Sequence, residues 1–73
     1  MPRNGEYELF THRGHTYCYD DPDQPPIPTP LGMNAWLAAQ PPGMARPLNP
    51  IDDTAWYLTP QCYLMWKLRW GYQ

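Results

Sequence analysis

Gln61-Cys62-Tyr63-Leu64-Met65-Trp66-Lys67-Leu68-Arg69-Trp70-Gly71-Tyr72 is the stretch whose reading decides the fold. Leu64, Trp66, Leu68, Trp70 and Tyr72 share one parity; Tyr63, Met65, Lys67, Arg69 and Gly71 share the other. A period of two places the first set on one face of a β-strand and sends Lys67 and Arg69 to the opposite face. Wound as a helix, the same residues scatter apolar groups around the whole circumference. The pattern predicts a strand over 61–72. Its aromatic face needs a covering surface, and the rest of the chain offers few candidates.

Residues 6–20 read as a β-hairpin. Two runs, Glu6 to His12 and His15 to Asp20, flank Arg13-Gly14. Gly14 can supply a positive φ, although Arg13 is a poorer first turn residue than Asn or Asp. A two-residue loop sets His12 opposite His15, Phe10 opposite Tyr17 and Leu9 opposite Cys18. One face then carries Tyr7, Leu9, Thr11, Thr16 and Cys18, and the other Phe10, His12, His15, Tyr17 and Tyr19. A lone hairpin is marginal in water. Pairing with the 61–72 strand gives a three-stranded antiparallel sheet.

The remaining elements are short. Residues 21–32 form a proline-rich arm, with five prolines between Asp20 and Pro30 favouring an extended polyproline-II path. The Pro25 to Pro28 spacing is one that SH3-type domains read. No basic residue flanks it, and a stiff spacer lying on its own domain or on a neighbour accounts for it better. Residues 33–40 read as a helix, with Met33, Trp36 and Leu37 at helical spacing and Pro41-Pro42-Gly43 as the stop. An irregular arm follows over 41–49. Asn49-Pro50-Ile51-Asp52-Asp53 then reads as a helix start, with Asn as cap and Pro at the first position. That helix covers 50–58, and Thr59-Pro60 ends it. The expected fold is a small α+β domain spanning 1–73.

Composition narrows the function. A 73-residue chain buries only about 60% of its unfolded surface, and such a core supplies roughly 3–5 kcal/mol. Eleven prolines, four tryptophans and six tyrosines occur, with no serine or valine. The aromatic content argues against a purely disordered tail. A net charge of −2 is too small to steer the chain to nucleic acid or acidic lipid. No apolar run approaches the roughly 20 residues of a membrane span. Met1-Pro2-Arg3-Asn4-Gly5 is polar and unlike a signal peptide, so the expected location is intracellular (cytoplasmic) or a virion, not secreted. Cys18 and Cys62 are then free thiols, a single bridge between them being the alternative.

Chemistry-bearing clusters are sparse. His12 and His15 face each other across a tight turn, but a metal wants a third ligand, and Cys18 falls on the other face. A solvated hairpin tip is the plainer reading. Without serine, a glycine-rich phosphate loop or a low-pKa setting for either cysteine, no enzyme, cofactor, metal or small-molecule substrate is expected. Trp66, Lys67, Arg69 and Trp70 suggest a single-stranded nucleic-acid module. However, a strand parts the bases from the aromatics, and seven acidic residues outnumber five basic ones. The preferred reading is a structural or interaction protein: an accessory, cement or adaptor subunit of a larger protein assembly, such as a phage virion or a multi-subunit enzyme complex. Its expected partner-binding residues are Tyr17, Tyr19, Pro25, Pro26, Ile27, Pro28, Trp66 and Trp70, types suited to interface cores and pre-ordered arms.

Overall fold

Thr59 and Pro60 open a helix instead of ending one. In the computed structural model, which describes residues 5–49 and 52–71, a helix spans Pro60–Arg69. Thr59 is extended and its hydroxyl accepts the Cys62 amide at 3.2 Å. Pro60 fills the first helical position, where its missing N–H leaves no gap. Lys67 and Arg69 lie in the last turn, where the helix dipole favours cations. The expected 61–72 strand is therefore wrong. Cys62, Tyr63 and Trp66 share the inner face and are buried, whereas Leu64, Met65 and Leu68 are exposed. Tyr72 lies outside the described residues.

The expected helix over 50–58 is also overturned. Asp52–Leu58 form a strand that pairs on both sides. Thr54, Trp56 and Leu58 alternate with Ala55 and Tyr57, and a run of Thr, Trp and Tyr suits a pleated, half-buried surface. Asn49 ends the preceding strand and does not cap a helix; Pro50 and Ile51 lie outside the described residues.

In chain order the elements are β1 (Tyr7–His12), β2 (His15–Cys18), β3 (Ile27–Pro28), α1 (Met33–Ala38), β4 (Ala45–Asn49), β5 (Asp52–Leu58) and α2 (Pro60–Arg69). The antiparallel sheet has five strands in the order β3-β2-β1-β5-β4, not the expected three. The two additional strands at its edges come from the arms: Ile27–Pro28 and Ala45–Asn49. The small α+β class with an antiparallel sheet and two helices stands. So does the hairpin register, with Leu9 opposite Cys18, Phe10 opposite Tyr17 and His12 opposite His15. Arg13 and Gly14 make the turn with φ of 51° and 80°.

Both helices cover one face of the sheet. Leu9, Cys18, Trp56 and Leu58 from the strands meet Met33 and Leu37 of α1 and Cys62, Tyr63 and Trp66 of α2 in a single cluster. Trp66 is 0% exposed, and its indole N–H donates to the Met33 sulfur at 3.1 Å. Burying a large apolar side chain contributes about 1.5–3 kcal/mol, so these few residues carry most of the stability. Asp21 ties the proline-rich arm to α2, accepting from the Tyr63 hydroxyl and the Lys67 ammonium, each at 2.8 Å.

Candidate interaction surface

Alternation sends Glu8, Phe10 and His12 of β1, His15 and Tyr17 of β2, Ala55 and Tyr57 of β5, and Arg46 of β4 to the other face. Among the described residues no helix packs over it. Phe10 and Tyr17 are cross-strand partners whose rings stack at 5.1 Å and 10°. Both remain half-buried, with solvent on the outer side. Such pairs contribute a few tenths to about 1 kcal/mol.

The neighbouring part of this face is roofed by the protein itself. The Arg46 guanidinium lies 4.6 Å from the centre of the Tyr57 ring, and Tyr57 is buried. Glu6 holds Arg46 in place through an ion pair at 2.9 Å. That carboxylate also raises the guanidinium pKa above its ordinary value. On this face, among the described residues, the aromatic surface left open is thereby on the β1–β2 side, where Tyr19, just past β2, is 75% exposed.

The expected partner-binding residues do not form one site. Tyr17 and Tyr19 lie at the open face. Pro25, Pro26 and Pro28 are exposed along the arm, with Pro28 opposite His15. Ile27 pairs with Thr16 and packs against the core. Trp66 is a correction: fully buried, it has no face to offer a partner. Trp70 is half-buried, edge-on to Trp36 at 5.1 Å, with Arg69 over its ring at 4.7 Å.

The nucleic-acid set fares worse. Trp66 cannot stack on a base, and Lys67 is committed to Asp21. His12 and His15 stand together at the hairpin end, yet no group of three or more metal-capable side chains converges among the described residues. Cys18 and Cys62 are buried and unbridged, and burial pushes both thiols up, away from reactivity.

Two features escaped the sequence reading. One is the exposed stripe Leu64, Met65 and Leu68 on α2, hidden by the period-two assignment. The other is the Glu6–Arg46–Tyr57 roof, which joins residues 40 apart in sequence and leaves no local signal. No helix among the described residues is long and apolar enough to cross a membrane. No protein-family model, curated protein or solved structure matches the chain.

Proposed function

We propose that the chain is a non-enzymatic accessory or adaptor subunit that docks on other proteins of a larger assembly. The docking surface is the β1–β2 half of its open sheet face, continued by the exposed prolines of the 22–30 arm. The observation that carries this reading is the Phe10–Tyr17 stack, solvent-facing on a sheet whose opposite face already holds the core. Tyr19 extends the aromatic surface, and soluble monomers rarely keep such surface contiguous in water. Aromatic anchors of this kind dominate interface energetics. A virion and a multi-subunit enzyme complex both fit this chemistry.

The test compares the chain in its native source with the isolated chain. Tagged at its native locus, it should sediment in a stoichiometric complex far above 8.6 kDa. Oxidative footprinting should then show Tyr17 and Tyr19 protected relative to the isolated chain. Tyr17→Ala should weaken docking by about 2 kcal/mol or more. Equal accessibility of both tyrosines in the two samples sinks the reading, as does salt-sensitive binding of single-stranded oligonucleotides to this same face.

A further inference from the structure

Histidine occurs twice in the 73 residues, and the two flank the same turn. His12 ends β1, His15 begins β2, and they are direct cross-strand partners. Both fall on the open sheet face, beyond Phe10 and Tyr17, and both are exposed. Side chains directly opposite one another in an antiparallel pair have Cβ atoms about 4.5–5.5 Å apart. Two imidazole nitrogens on one tetrahedral zinc lie about 3.3 Å apart, which rings set at that spacing reach by side-chain rotation alone.

The turn between them is held in place. The Thr29 amide donates to the Gly14 carbonyl at 2.9 Å, which pins the hairpin tip to the arm. The His15 Nδ1 lies 3.3 Å from the Arg13 carbonyl. A carbonyl oxygen only accepts, so Nδ1 carries the proton and the lone pair of the neutral ring sits on Nε2. Metal-bound histidines are typically oriented in this way, by donating the other ring N–H to a backbone carbonyl or a carboxylate. His12 makes no hydrogen bond or ion pair with any described residue, so nothing described holds its ring away from its partner. We infer that His12 and His15 chelate a divalent transition metal of the zinc class. Imidazole suits zinc, copper and nickel, whereas magnesium and calcium take oxygen ligands. No third described ligand joins the pair, so the outward positions go to water in the isolated chain.

Chelation needs this chain alone, so it stands or falls separately from the docking reading. The full chain, its thiols kept reduced, is titrated with zinc chloride while the histidine ring signals are followed by NMR. Both rings should shift together and saturate at no more than one zinc per chain, whereas magnesium at equal concentration should move neither. His12→Gln and His15→Gln change exposed side chains, so each should keep the amide spectrum of the folded chain. Each should weaken zinc binding at least about tenfold, the loss typical of a disturbed metal site. Absence of saturation by zinc overturns the inference. So do shifts confined to Cys18 and Cys62, or a single-histidine variant that binds as tightly as the parent.

Discussion

Tyr63 donates its hydroxyl to Asp21 at 2.8 Å, and Lys67 donates to the same carboxylate oxygen at the same distance. Asp21 is held below its ordinary pKa first by the Lys67 hydrogen bond and then by that of Tyr63. A depressed folded-state pKa contributes stability that is fully present above the ordinary carboxylate range and lost as pH falls through the lower folded value. The denaturant midpoint should therefore hold from neutrality to about pH 5 and fall below about pH 4. Asp21→Asn should lower the midpoint at pH 7 and flatten the acid limb. An unchanged acid limb in that variant would count against Asp21.

The two faces of α2 should respond oppositely to substitution. Trp66→Ala removes a fully buried side chain and should cost about 3–5 kcal/mol, enough to unfold so small a domain. Leu64→Gln and Leu68→Gln touch exposed positions and should stay within about 0.5 kcal/mol in the isolated chain. Far-UV circular dichroism and urea titration distinguish the cases. Equal damage from Trp66→Ala and Leu68→Gln would favour the period-two reading.

What the sequence disclosed follows from how local each signal is. The β1–β2 hairpin is legible because its alternation and its turn residues lie within one short run. Helix α1 is legible because Pro41-Pro42-Gly43 marks its end. Cys62, Trp66 and Trp70 lie four apart, so a strand face and a helix face claim them equally. The deciding mark was Thr59-Pro60. A residue before proline avoids helical backbone, which describes a helix cap as well as a helix stop, and Thr59 at ψ 159° is the cap. Strand β5 was hidden by Asn49-Pro50, whose capping chemistry is overruled by pairing with β1 and β4. Of the candidate site, Tyr17 and Tyr19 followed from the hairpin register. The burial of Trp66 depended on the helix, and nothing nearer in sequence reveals it.

Gly71 lies close against Gln24 of the arm and the Lys67 turn of α2. A Cβ placed there would lie 2.8 Å from Gln24 Oε1 and 2.9 Å from the Lys67 Cα. The glutamine is buried and the Lys67 contact is backbone, so neither yields cheaply. Gly71→Ala should destabilise by about 1–3 kcal/mol, and a urea midpoint equal to the parent's would refute the contact.

Arg13 invites the opposite experiment. Asn suits its left-handed backbone far better, so Arg13→Asn should stabilise the hairpin by about 0.5–1 kcal/mol. A thermal midpoint that rises would show that the parent turn carries this backbone strain. A midpoint that falls would show Arg13 to be held by contacts that strengthen the fold.

The strand order has a consequence for how the chain comes to be folded. β1 is central, yet one of its neighbours is β5, and the hairpin's cover comes from Met33, Leu37 and, later still, Trp66. During synthesis the hairpin thus emerges first and waits for the last third of the chain before either its second edge or its apolar face is closed. Long-range pairing of this kind is slow to form. Until then Leu9 and Cys18 are open to solvent and to other chains, and the free edge of β1 is the place where a growing copy is most prone to pair wrongly.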